Sequence, residues 1–189
     1  MDSLSKKRPT KCPSMFGERK MREASADEAW LRKYPERTVL ATSVDSKGQA
    51  NLIALGWNMP TSHSPPIAAI SIGITRYSHQ LVHESQEFVL VFPSFEMRDQ
   101  VMYCGTHSGR AVDKFQQTGL TPVPAKYVQP PLVKEAVVNM ECRVIGELRT
   151  GDHTLFAGEI LTAHISDEVR QVLFNMGPDE QGNRRFCGF

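Results

Sequence analysis

Hydrophobic and polar positions change their spacing several times along the chain, and each change predicts a different element. Residues 1 to 24 are polar and basic, with Lys6, Lys7, Arg8 and Lys11 among them and Pro9, Pro13 and Gly17 interrupting them. Such a segment has no apolar face to bury, so it reads as a basic arm ahead of a folded domain over residues 25 to 189. Ser25 followed three residues later by Glu28 is a capping-box pattern and predicts a short helix through Trp30 and Leu31, ended by Pro35.

From Thr38 onward the apolar residues fall into β-type runs. Thr38 to Val44 and Ala50 to Trp57 flank Asp45-Ser46-Lys47-Gly48 and predict a hairpin. Pro65-Pro66 opens another run, Ile67 to Ile74, whose lack of strict alternation predicts a central strand covered on both faces. Arg76 to Ser85 carries leucine and valine at helical spacing and predicts a helix before a strand over Phe88 to Phe92. Two further helices are expected, over about Phe95 to Tyr103, broken by Cys104-Gly105-Thr106, and over Gly109 to Gln117, ended by Gly119. Pro122, Pro124, Pro130 and Pro131 mark a loop. Val137 to Leu148 and Thr154 to Ile165 then predict a longer hairpin about Thr150-Gly151-Asp152-His153. Strands joined by hairpins, with helices only in the middle, predict a mainly β protein built as a closed antiparallel barrel rather than as βαβ units.

Composition narrows the function more than the fold. The 189 residues suffice for one domain with a full core, and 22 basic against 21 acidic side chains leave no global footprint of a nucleic-acid binder. Any anion must be held locally. No stretch approaches a membrane span, and the basic N-terminus is not followed by an apolar segment, so a cytoplasmic protein is expected. Cys12, Cys104, Cys142 and Cys187 are scattered without a CxxC pair or a histidine at ligand spacing, and no metal site is expected.

The chain has no GxGxxG, P-loop, GxSxG or HExxH motif. Thr75-Arg76-Tyr77-Ser78 offers another cradle for a nucleotide phosphate, because hydroxyls and a guanidinium stand where a strand ends and a helix begins. On spacing alone, a helix cap with an exposed arginine is the commoner explanation. Asn51 to Met59 joins small residues, Trp57 and polar amides at a strand end, the mixture a flat aromatic ligand needs, although a lone tryptophan more often anchors a core. Ser108-Gly109-Arg110 offers a second anion contact or simply an N-cap, and His107 and His153 stand in turns where histidine can donate to a substrate.

Taken in order, these pieces resemble the flavin reductase-like, FMN-binding split-barrel family, in particular its flavoredoxin-type members. The likeness runs from about Pro35 to Ser166. It is carried by Asn51 to Trp57, Ser64-Pro65-Pro66, Arg76-Tyr77-Ser78, Cys104-Gly105 with Ser108-Gly109-Arg110 and Asp113-Lys114-Phe115, Val138 to Cys142, and Gly151-Asp152-His153 before Gly158-Glu159. The resemblance implies a Greek-key split β-barrel with a few short helices inserted, a homodimer, and non-covalently bound FMN near the subunit interface. It implies that Asn51 and Leu55, Gly56, Trp57, Asn58 and Met59 line the isoalloxazine, and that Arg76 and Ser78, helped by Thr75 and Tyr77, hold the phosphate. Ser108 and Lys114 would close the site, Phe186 would cover the flavin, and His153 would face the ring as the catalytic group where an electron donor docks. Two activities fit: an NAD(P)H-dependent flavin reductase serving free flavin, a metal complex or a monooxygenase partner, or an electron-transfer module reduced by another protein. A barrel that binds some other ligand or nucleic acid through its basic arm is the third reading.

Overall fold

The computed structural model describes residues 21–168 and 171–189. Most of the basic arm lies outside the described residues. The capping box forms as expected, with Ser25 Oγ accepting from the Glu28 N–H at 3.2 Å at the start of α1 (Ala26–Trp30). The helix gives way at Leu31, so Pro35 follows it rather than ending it. This helix lies in a small compact unit that ends at Lys33; the larger unit spans Tyr34–Phe189.

The larger unit starts with β1 (Glu36–Arg37), β2 (Val39–Val44) and β3 (Ala50–Leu55). β2 and β3 form the predicted hairpin, whose turn is held by Asp45 Oδ1 accepting from the Lys47 and Gln49 N–H groups, with Gly48 at φ +79°. Next come β4 (Asn58–His63), β5 (Pro66–Gly73), α2 (Tyr77–Ser85) and β6 (Glu87–Phe92). A 3₁₀ turn leads into α3 (Arg98–Thr106), followed by α4 (Lys114–Thr118) and the short pair β7 (Pro122–Val123) and β8 (Leu132–Val133). The long hairpin β9 (Val138–Thr150) and β10 (His153–Ile165) precedes β11 (Leu173–Pro178) and β12 (Arg184–Gly188).

Seven strands form one antiparallel sheet in the order β3-β2-β6-β9-β10-β5-β4. Its two edge strands, β3 and β4, are consecutive in the chain and joined only by Gly56 and Trp57. A two-residue link cannot span a flat sheet of this width, so the sheet must curl until its edges meet at that corner. The inside of the curl holds one apolar core, including Val39, Ala41, Ile70, Phe88, Leu90 and Phe156. Gly158 makes room for Phe88 there, since a β-carbon would lie 2.6 Å from Phe88 Cζ. A second core, including Leu40, Leu52, Val89, Val101 and Phe115, lies between the outer face of β2, β3 and β6 and the segments that cover it.

Two expectations about strands need correction. The strand buried on both faces is β2, every residue of which is buried, because it alternates between the two cores. β5 is central in that β10 and β4 pair with both its edges, and Ala68, Ala69 and Ile70 are buried in succession, but Ser71 and Gly73 leave the rest of its second face only partly covered. β4 itself was not predicted: Asn-Met-Pro-Thr-Ser-His has no apolar alternation because an edge strand buries little, and Pro60 stands at a register shift where it costs no ladder bond.

The helices also differ from their predicted bounds. α3 runs through Cys104-Gly105-Thr106, for Cys104 is buried in the outer core and holds the helix against β3. α4 begins only at Lys114, where Asp113 caps it by accepting from the Gln116 N–H at 3.1 Å, and residues 108–113 form a turn. The sheet β1-β11-β12 was not anticipated from the sequence. Among the described residues no helix is long and apolar enough to cross a membrane.

Candidate functional site

The link that closes the sheet also gathers the candidate site. Trp57, at the β3–β4 corner, is 46% exposed, and its ring centroid lies 4.8 Å from that of His153, the first residue of β10. The Trp57 carbonyl accepts from the Ser71 N–H, and the Ile74 N–H donates to the Asp152 carbonyl, so the corner, the end of β5 and the hairpin tip are tied through backbone. A β-carbon added at Gly73 would lie 3.5 Å from His153 Nε2 and 3.6 Å from Arg76 Cγ. These are ordinary van der Waals distances, so the imidazole and the arginine stem both reach the same stretch of chain. His153 Nδ1 is 2.7 Å from Asp152 Oδ1, a contact that holds the Asp152 carboxyl below its ordinary range.

The second half of the site is the start of α2. Arg76 is its N-cap, with extended backbone and no side-chain cap; the His79 N–H donates to the Arg76 carbonyl at 3.1 Å, which leaves the Tyr77 and Ser78 N–H groups for an anion. Ser78 is buried in the first turn and accepts from Asn51 Nδ2 at 2.7 Å. Asn51 Oδ1, also buried, has no hydrogen-bond partner. Buried amide oxygens are rarely left so. Tyr77 lies beside them under the Arg110 guanidinium, 4.8 Å from its ring centroid.

Of the residues proposed from sequence, Asn51, Tyr77 and Ser78 thus come together at one helix start, and Trp57, His153 and Arg76 at the adjoining corner. Thr75 is exposed where β5 leads into α2. The other side chains of the corner run turn elsewhere, so a ring lying here would meet that run through its backbone. Leu55 is buried in the inner core, Gly56 packs against Glu36, and Asn58 donates toward the Gly56 and Arg37 carbonyls. Met59 stands on the outer face of β4, half exposed, opposite Ala69. A strand end turns successive side chains to opposite faces, so a contiguous run cannot all face one ligand.

Lys114 is buried behind the site and donates to the Leu52 carbonyl at 2.6 Å and the Cys104 carbonyl at 2.8 Å. It fastens α4 and α3 to β3; burial pulls its ammonium below the usual lysine range, and the Arg76 charge acts the same way. Burial pushes the Cys104 thiol up to about 11 despite Lys114. Ser108 Oγ accepts from the Arg110 N–H at 3.3 Å and shapes the turn. Phe186 is not a cover for this site within its own chain: it lies on β12 and packs against the outer core. Gly73 escaped the sequence reading as a site residue; a glycine where β5 gives way to α2 was the available signal.

The comparisons with known proteins agree with this fold. An uncharacterized protein of Archaeoglobus fulgidus is 44% identical over 128 residues, 68% of this chain and 71% of its own length. The NADH:riboflavin 5'-phosphate oxidoreductase of Streptomyces pristinaespiralis is 24% identical over 134 residues, 71% of this chain and 73% of its own. The solved flavoredoxin of Desulfovibrio vulgaris (Miyazaki F) superposes with a TM-score of 0.73 at 26% identity, over 82% of this chain and 88% of that one. Residues 31–179, which include every strand from β1 through β11, match the flavin reductase like domain. The curled sheet, with its few inserted helices, is the split barrel that the motifs implied, and the chain belongs to the flavin reductase-like, flavin-binding family.

Proposed function

We propose that this protein is an oxidoreductase that holds FMN non-covalently between the Trp57–His153 corner and the start of α2. The observation that carries the reading is the buried Asn51–Ser78 pair beneath an uncapped helix start flanked by Arg76. Those N–H groups and the guanidinium suit a dianionic phosphate. Trp57 gives the ring an exposed apolar wall, with His153 beside it. FMN, when bound, supplies the redox chemistry.

The chain's own work is placement and charge. Asp152 orients His153 through Nδ1, which leaves Nε2 as the group that meets an incoming donor. NADH or NADPH is the proposed donor, and free flavin, a metal complex or a monooxygenase partner the acceptor. A homodimer is supported by the outer sheet face, where Met59, Ala69 and Ala157 stand in one row and Leu148, Leu155 and Ser71 in the next. Leu148 is 60% and Met59 50% exposed, large apolar side chains on one face of the kind that pair with a second copy.

An anaerobic stopped-flow experiment on the FMN-loaded protein tests the activity. Loss of flavin absorbance within the turnover time after mixing with NADH or NADPH is expected. Protein that takes up FMN but stays oxidised with both is an electron-transfer module instead, and protein that takes up no FMN refutes the flavin site.

A further inference from the structure

A cavity of about 230 Å³ lies where the β7–β8 pair meets the far end of the β9–β10 hairpin. Val123, Leu132 and Ala136 give it apolar walls, and Lys134, His164 and Ser166 line it with polar groups. His164 is near the end of β10 and His153 at its start, so the cavity stands on the order of 30 Å along the strand from the Trp57–His153 corner. His164 is held from behind. Its Nε2 lies 2.7 Å from Oε1 of Glu141, a wholly buried carboxylate that also accepts from the Lys126 and Tyr127 N–H groups. These donors hold the Glu141 carboxyl below its ordinary range, so it is ionised at neutral pH and fixes Nε2 as a donor. Nδ1 is the nitrogen left over, on a side chain 38% exposed, and among the described residues it has no hydrogen-bond partner.

The charges at the cavity are unequal. Glu141 is committed to three donors, and the Glu135 carboxylate turns to the Thr121 N–H at 3.1 Å. Among the described residues no carboxylate pairs with the Lys134 ammonium. We infer that this cavity is a second ligand site, for a small carboxylic acid anion with a short aromatic or branched apolar body. The body lies against Val123, Leu132 and Ala136, while the carboxylate meets Lys134 Nζ and the protonated Nδ1 of His164. Each N–H of the imidazolium then has a charged acceptor, Glu141 on one side and the ligand on the other. A phosphate has no body to place against the apolar walls, and one ammonium with one imidazole leaves most of its oxygens unmet.

The experiment titrates the full-length, ¹⁵N-labelled protein with benzoate and with benzamide, its neutral counterpart of nearly the same shape. Amide shifts of Leu132, Lys134 and Ser166 read the cavity, and those of Trp57 and Ser78 read the flavin corner. Benzoate should move the cavity amides and bind about tenfold more tightly than benzamide, as one charge-assisted contact predicts. His164→Gln keeps a donor for Glu141, and Lys134→Met keeps the apolar stem. Each should weaken benzoate about five- to tenfold and leave benzamide within about twofold. Equal affinities for the two compounds, benzoate binding unchanged in both variants, shifts confined to Trp57 and Ser78, or no binding at millimolar concentration overturn the assignment. Inorganic phosphate that displaces benzoate from the cavity overturns the carboxylate class. Matching thermal transitions for wild type and variants confirm that the fold is intact. Flavin affinity should be the same in all three proteins, so the flavin reading stands or falls separately.

Discussion

Asn51 Nδ2 lies 2.7 Å from Ser78 Oγ, so a strand and the first turn of a helix share one buried hydrogen bond directly beneath the proposed phosphate. The two residues are 27 positions apart, and their meeting fixes where α2 begins relative to β3. Ser78→Ala removes the acceptor and strands a buried amide, which should destabilise the fold by about 1–3 kcal/mol. FMN affinity should fall together with stability, read by denaturant unfolding and by flavin titration. Unchanged FMN affinity in a destabilised variant shows that the pair supports the barrel alone.

Arg76 separates phosphate recognition from ring recognition. It is exposed, has no side-chain capping role, and stands where the helix dipole already favours an anion. Arg76→Ala should weaken FMN by about tenfold while riboflavin, which lacks the phosphate, changes little. Comparable losses for both ligands in parallel titrations refute the assignment.

Leu148 tests the proposed dimer. It stands opposite Leu155 on the outer face of the long hairpin and is 60% exposed. Sedimentation should show a dimer for the wild type and a monomer for Leu148→Glu, since a buried unpaired carboxylate costs several kcal/mol. A dimer that survives the substitution places the interface elsewhere.

Glu141 sets the acid limit of stability. The side chain is wholly buried, accepts from the Lys126 N–H at 2.9 Å and the Tyr127 N–H at 2.6 Å, and lies 2.7 Å from His164 Nε2. Burial raises its proton affinity, but the two N–H donors and the imidazole outweigh that and hold it below the ordinary carboxylate range. Because the folded carboxyl is the stronger acid, its contribution is complete above the unfolded value of 4.5 and is lost as pH falls through the folded one. Glu141→Gln should flatten the fall in melting temperature below pH 5 and cost about 2–4 kcal/mol at pH 7. An acid-side slope equal to the wild type's assigns the titration to another group.

What could be read along the chain was what neighbouring residues decide. Alternating apolar runs and their turns placed β2, β3, β6, β9 and β10, the helical spacing from Arg76 placed α2, and ordered short motifs pointed to a flavin-binding barrel. Ser25 with Glu28 and Asp45 with Gly48 are local geometries, complete within a few residues. The edge strand β4 and the sheet β1-β11-β12 were not legible, because their pairing partners, rather than their own periodicity, make them strands. The site divided in the same way. Arg76, Ser78 and Trp57 stood out by residue type, but which side chain of Leu55 to Met59 faces the ligand depends on the bend at Gly56. Lys114 became a clamp rather than a ligand only because Leu52 and Cys104 turn their carbonyls toward it. Strand propensity, turns and the family are properties of the sequence; the meeting of Trp57 with His153, of Asn51 with Ser78 and of Gly109 with Tyr77 exists only in the folded barrel, which alone brings residues so far apart in sequence together.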